Sequence, residues 1–277
     1  MSPPDSLPTD LAGWLAYIES QHPKSIEMGL DRVLLVKQRL KLAPNFPIIT
    51  IAGTNGKGST CAMLASVYVQ AGYRVASYTS PHLLRYNERV RIQGEEVEDA
   101  LLIEAFRAVE MARHEVPLTY FEFATLAAVW LFQTQAPDVA LLEVGLGGRL
   151  DAVNAFDPDC AIVTGIDLDH MDYLGDTREK IAFEKAGVFR AGVPAICGDP
   201  DPPESLLRHA SAIGADLICH GREFRCIAHD IDWTYDGPVL MEHLPMPNLI
   251  GEFQLNNAAC VITAIEALQK RLPVNAE

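Results

Sequence analysis

The segment Gly53-Thr54-Asn55-Gly56-Lys57-Gly58-Ser59-Thr60 constrains this chain more than any other. It follows a short apolar, β-branched run, Pro47-Ile48-Ile49-Thr50-Ile51-Ala52, and precedes a stretch of helical spacing that stops before Gly72. A buried strand that feeds a glycine-rich turn and then a helix start is built to bind phosphate. The glycines let successive N–H groups turn inward, and the helix adds the positive end of its dipole. Lys57 would neutralise β/γ-phosphate charge, and the hydroxyl of Ser59 or Thr60 can reach a magnesium ion. A plain glycine-rich turn with an exposed lysine is the competing reading, and the strand–loop–helix context disfavours it. The loop also departs from the common G-x-x-x-x-G-K-[ST] pattern, because a glycine follows the lysine and Gly53 stands only three residues before Gly56.

Around this loop, apolar periodicity predicts helices over residues 10–21, 30–42, 59–71, 101–114, 122–135, 177–189, 204–213 and about 254–271. Short buried-type strands are predicted over 47–52, 75–79, 139–144, 160–164, 194–197 and 216–219. Strands alternating with helices imply an α/β, P-loop-type fold, with a mostly parallel sheet flanked by helices on both faces. Residues 224–249 differ, with shorter alternating segments and the turn Asp236-Gly237-Pro238, and predict a small antiparallel region at the sheet edge. With 277 residues, 49% hydrophobic and 21% charged, the chain has enough apolar side chains for a buried core. The net charge of -15 argues against a general affinity for nucleic acid or an anionic membrane. Neither a signal-peptide pattern in residues 1–10 nor an apolar run of the ~20 residues a bilayer needs is present. Six scattered cysteines without a C-x-x-C pair read as reduced, buried thiols and point to a cytoplasmic chain.

Four polar groupings fall near strand or helix ends. Glu143 sits inside the apolar run 139–144, where a carboxylate is costly unless paired or bound to metal. An ion pair with Arg149 is one solution; a magnesium ligand at the carboxyl end of a parallel strand is the other. Past the strand 160–164 comes Asp167-Leu168-Asp169-His170-Met171-Asp172, in which Asp172, or Asp176 beyond it, can cap the following helix. His170 as a ligand suits manganese better than magnesium, which prefers oxygen. The polar loop after strand 75–79 carries Ser80, a candidate metal ligand, and Arg85 and Arg89, candidates for meeting an anion. Glu184-Lys185 on a predicted helix is by default an exposed pair; a partly buried lysine would instead lose its proton and react with carbon dioxide.

Gly-Thr-Asn-Gly-Lys-Gly-Ser at 53–59, Thr-Ser-Pro-His at 79–82, Glu-Val-Gly-Leu-Gly-Gly-Arg-Leu-Asp at 143–151, Asp-His-Met-Asp-Tyr-Leu-Gly at 169–175 and Glu-Lys-Ala-Gly at 184–187 occur in that order. Together they resemble the folylpolyglutamate synthase/dihydrofolate synthase family of the Mur-ligase superfamily, from about His22 to the final helix. The resemblance implies an ATP-dependent amide ligase that works through an acyl phosphate. It implies ATP held by residues 53–60 with Asn257 near the base, and two magnesium sites, one near Ser80 and Glu143 and one near Glu143 and His170. It matches Lys185 to a carbamylated lysine. It also implies dihydropteroate or folate and L-glutamate as substrates. Ser25 to Leu30, with Met28, Gly29 and Leu30, and residues 120–124, with Phe121 or Phe123 to stack on a pterin ring, match the substrate segments, together with Arg149 and Asp151. The loop Glu27-Met28-Gly29-Leu30 is closer to the bifunctional bacterial type. The family continues into a C-terminal glutamate-ligase domain absent here, so residues 1–277 read as the Mur-ligase-like ATP-binding domain, expected to be a monomer. A cell-wall Mur ligase and a non-catalytic nucleotide-binding module are the rival readings; the aromatic segment 120–123 speaks against the first.

Overall fold

The computed structural model describes residues 7–24, 26–249, 251 and 253–275; Ser25, among the expected substrate residues, lies outside them. Eight strands form the main sheet: β1 (Ile48–Ala52), β2 (Val75–Tyr78), β3 (Val90–Ile92), β4 (Glu95–Glu96), β5 (Val139–Glu143), β6 (Cys160–Val163), β7 (Pro194–Cys197) and β8 (Asp216–Cys219). Their order is β4-β3-β2-β5-β1-β6-β7-β8. The six strands from β2 to β8 in that order are parallel, while β3 and β4 run antiparallel at one edge.

Side chains alternate across the sheet with a period of two, and both faces are buried. Ile49 and Ile51 of β1, Val139 and Leu141 of β5, and Cys160 and Ile162 of β6 face α3 (Lys57–Gln70) and α9 (Gln254–Ala267). Ile48, Ala52, Ala140, Leu142, Ala161 and Val163 face the opposite layer. That layer holds α1 (Leu11–Glu19), α2 (Asp31–Arg39), α4 (Asp99–Arg113), α5 (Tyr120–Gln135), α7 (Arg178–Ala186) and α8 (Glu204–Ile213). Among them α5 is buried nearly all round, between the sheet and α1, α2 and α4, which explains its unbroken apolar composition. No helix among the described residues is long and apolar enough to cross a membrane.

The α/β architecture expected from the sequence is present, and the structure corrects several of its parts. Residues 224–249 make a separate three-stranded antiparallel sheet of β9 (Arg225–Ala228), β10 (Asp232–Asp236) and β11 (Leu240–Pro245), which packs beside α9 and does not extend the main sheet. The antiparallel edge comes instead from residues 90–96, directly after the loop 79–89. Helix α3 starts at Lys57, two residues before the expected Ser59, with Gly56 as its left-handed N-cap. Neither Asp172 nor Asp176 caps α7. Thr177 does, accepting from the Lys180 amide, and Asp176 pairs with the Lys180 ammonium at 2.8 Å.

Phe123 is also corrected. It is fully buried in the layer of α5, edge-on to Phe106 with ring centroids 5.9 Å apart, and cannot meet a ligand. Phe123→Ala is therefore expected to cost about 3–5 kcal/mol of stability, read from denaturant midpoints, whereas Phe121→Ala should leave the midpoint nearly unchanged.

Candidate active site

β1 lies between β5 and β6 at the centre of the sheet, so the loop after Ala52 opens at the point where chain connections leave in opposite directions. The loop is pinned from the β6 side. Thr54 N–H donates to the Gly165 carbonyl at 2.7 Å, and the Thr164 hydroxyl donates to the Asn55 carbonyl at 2.6 Å. Gly53 has φ +145°, and a Cβ there would run into the Thr164 hydroxyl. Gly56 has φ +87°, and a Cβ there would strike the Asn257 side-chain amide. Both positions thus demand glycine. Lys57 Nζ donates to the carbonyls of Gly53 (3.0 Å) and Thr54 (3.1 Å), which holds its ammonium over the loop. Ser59 is half-buried, with Gln254 donating to its hydroxyl at 3.4 Å; Thr60 is buried and its hydroxyl has no partner.

The two-residue period of β5 places Glu143 on the α3 face, at the positive end of that helix and beside Gly58. Glu143 is 4% exposed and accepts a hydrogen bond from the Ser80 amide at 3.0 Å. Burial raises its carboxyl above the ordinary range, against the pull of that amide and of the charges on Lys57 and Arg89. The pairing with Arg149 does not occur: Arg149 binds Glu184 at 2.8 Å and lies over the Phe183 ring. A buried carboxylate with so few donors around it, at the start of the helix that carries Ser59 and Thr60 and bonded to the Ser80 amide, offers hard oxygen chemistry suited to magnesium. Among the described residues no three His, Cys, Asp or Glu side chains converge on a metal position. Such a set fits an ion that completes its shell with phosphate oxygens and water.

A cavity of ≈ 360 Å³ starts at Lys57, Ser80 and His170 and runs past Phe121 to Met28 and Asp151. His170 caps the short helix α6 (Met171–Leu174) with φ +47°, and its imidazole lies 3.6 Å from Asp169. At the far end Asp151 is buried and accepts from the amides of Leu146 and Val153, both at 2.9 Å; burial pushes its carboxyl up to about 7 against those bonds. Gly29 lines the wall beside Met28. Two further expected substrate residues are not in the lining: Leu30 is the N-cap of α2, and Arg149 is turned toward α7 by Glu184. Sequence reasoning passed over Glu122 and Arg32, which build the same wall. Thr119-x-x-Glu122 closes a capping box at the start of α5, and Arg32 grips Glu122 at 2.9 Å and Glu27 at 3.1 Å. The S/T-x-x-E spacing was the available signal.

Lys185 is 3% exposed, so the Glu184–Lys185 pair is not a solvated one. Burial, reinforced by the charge of Lys57, lowers its ammonium to about 8. On the other side of the loop, a second cavity of ≈ 210 Å³ is lined by Asn55, Asn257, Phe253 and the ion-paired Arg178 and Asp199.

The Mur ligase middle domain model matches residues 51–265. The dihydrofolate synthase/folylpolyglutamate synthase of Escherichia coli (strain K12) is 47% identical over 268 residues, covering 96% of this chain and 63% of that protein. A solved structure of E. coli FolC in complex with DHPP and ADP superposes with a TM-score of 0.94 at 46% identity, over 99% of this chain and 65% of that one. A bifunctional folylpolyglutamate synthase/dihydrofolate synthase with Mn, AMPPNP and L-glutamate bound gives a TM-score of 0.90 at 44% identity, over 98% and 65%. This chain therefore spans less than two thirds of the length of these relatives.

Two substitutions separate phosphate from metal at this site. Lys57→Ala is expected to weaken ADP binding at least 100-fold by calorimetry. Glu143→Ala should leave metal-free ADP affinity near its starting value and abolish the gain from magnesium; an intact gain would remove Glu143 from the metal site.

Proposed function

Because this chain belongs to the folylpolyglutamate synthase/dihydrofolate synthase family of the Mur-ligase superfamily, we propose that it carries the nucleotide, metal and pteridine sites of an ATP-dependent ligase. That ligase adds L-glutamate to dihydropteroate, to tetrahydrofolate or to both. The observation that carries the reading is the continuity of the larger cavity. One end holds Lys57 of the phosphate loop and Ser80, whose amide donates to Glu143; the other is apolar, with the Phe121 ring and the buried Asp151 carboxyl. A flat heteroaromatic with ring N–H donors fits that far end, and a carboxylate joined to it by a rigid linker would reach Lys57.

In this reading the substrate carboxylate attacks the γ-phosphorus of ATP and ADP leaves, giving an acyl phosphate. The amine of glutamate then displaces phosphate and forms the amide. Lys57 and the amides at the start of α3 hold the triphosphate and meet charge developing on the transferring group. Ser59, Ser80 and Glu143 would hold one divalent ion, and Glu143 with His170 a second, for which imidazole also admits manganese. Such ions, when bound, screen the phosphate oxygens from the incoming carboxylate. The neutral amine of Lys185 would add to carbon dioxide with loss of one proton, giving a carbamate that replaces a buried cation beside Lys57 with an anion able to support the metals. The second cavity, with Asn257, would take the nucleotide base. The remaining length of the relatives would supply the C-terminal domain that binds glutamate. Free thiols, five of six buried, accord with a cytoplasmic location, and a monomer completes the reading.

Calorimetric titration with dihydropteroate tests the substrate class. Saturable binding that tightens with magnesium and ATP is the expected result. Absence of binding alongside tight ATP binding would move the substrate toward another Mur-type acid. The carbamate has its own readout: with ¹³C-labelled carbon dioxide, a carbamate resonance should grow as pH rises through about 8 and be missing in Lys185→Ala.

A further inference from the structure

The cavity is walled by three carboxylates in a chain of net charge -15, yet its proposed substrate is itself a carboxylate. Glu27 and Glu122 are offset by Lys24 and Arg32 together, and Asp151 is held by backbone amides. A fourth carboxylate, Glu143, stands behind the lining residue Ser80, whose amide it accepts from, at the end where the reaction would occur. Lys57 and Arg89 are the permanent cations of the lining, and Lys57 is committed to the phosphate loop. Arg89 takes part in no ion pair among the described residues. Arg85, its neighbour in the same loop, is drawn away by Glu96 and Asp99, each at 3.6 Å.

The local fold holds Arg89 ready. It ends a 3-10 turn, Tyr86–Arg89, and its carbonyl accepts from the Thr79 amide at 2.9 Å, one residue before Ser80. Its guanidinium carbon lies 5.7 Å from the ring centres of both Tyr86 and Tyr120, and its Nε donates to His82 Nδ1 at 2.8 Å. Two aromatic rings and one fixed hydrogen bond orient the half-buried fork and leave its terminal nitrogens free of protein partners, available to an anion in the cavity. Its charge is felt by Glu143, so the fork stands near the reacting end of the cavity.

We propose that Arg89 binds the carboxylate of the acid substrate and presents it to the γ-phosphate, an inference that rests on the ligase reading above. A guanidinium can hold a carboxylate through one oxygen and leave the other free to attack. The same contact offsets the repulsion from Glu143 and the triphosphate.

The test compares dihydropteroate with its neutral carboxamide, in the presence of magnesium and ADP. The unaltered chain should prefer the acid about 10- to 100-fold. Arg89→Gln should lose that preference by weakening the acid alone, with affinity for the amide and for ADP unchanged. Arg89→Lys should restore part of it. Equal acid preference in Arg89→Gln and the unaltered chain would overturn the role of Arg89 while leaving the ligase reading intact; binding of neither compound to the unaltered chain would overturn both. If Arg89→Gln also loses ADP binding, Arg89→Lys decides, since an undiminished acid preference there contradicts oriented binding by the guanidinium.

Discussion

β1 is hydrogen-bonded on both edges, to β5 and β6, and packed on both faces, so no atom of its five residues can meet a polar ligand. The first freedom the chain has is the residue after Ala52. The same holds for β6 and for β5 up to Leu142, whose carboxyl ends lie level with it. Ligand chemistry is thereby confined to one line across the top of the sheet, where Gly53, Glu143 and Thr164 all emerge. The helix that follows β1 then adds its N-terminal amides along that line. A covered parallel sheet thus leaves one place where a triphosphate can sit.

Much of this was legible because buried parallel strands need continuous apolar residues and helices need a longer period. The strands were found to within a residue or two for that reason. β3 and β4 carry no apolar run, because they are short and lie at the sheet margin, where β4 is paired on one side only and the charges of Arg91, Glu95 and Glu96 are tolerated. The small antiparallel sheet was recognised as antiparallel, but its place was not encoded locally. Its docking on α9 depends on Trp233 and Tyr235 meeting helix residues that follow later in the chain.

At the site, residues fixed by backbone demands were the easiest to read. Gly53 and Gly56 declare themselves because no other residue fits their φ and their neighbours. Phe121 and Phe123 could not be told apart by type. Two positions apart on a helix are about 200° apart around its axis, so the two rings face opposite sides, and only tertiary packing says which one is open. Arg149 likewise reads as a site residue from its glycine-rich surroundings, until Glu184, 35 residues on, claims it. Lys185 shows the reverse case: an ordinary Glu-Lys step becomes a perturbed amine because the turn of α7 buries it near Lys57.

In a chain of net charge -15, the charges along this one cavity are separated in steps by burial and pairing. At the apolar end, Arg32 and Lys24 together balance Glu27 and Glu122. At the phosphate end, Lys57 and Lys185 repel each other across a buried space, which favours removing one of the two protons. Glu143 is held back from ionising by burial and drawn toward it by the Ser80 amide and the charges of Lys57 and Arg89. Each of these groups is poorly satisfied by the protein alone, and each is improved by the same event: a polyanion with its metal ion at the loop. The polar centre is therefore matched to the loaded state, and the covered sheet below it supplies the rigidity that keeps these side chains in place.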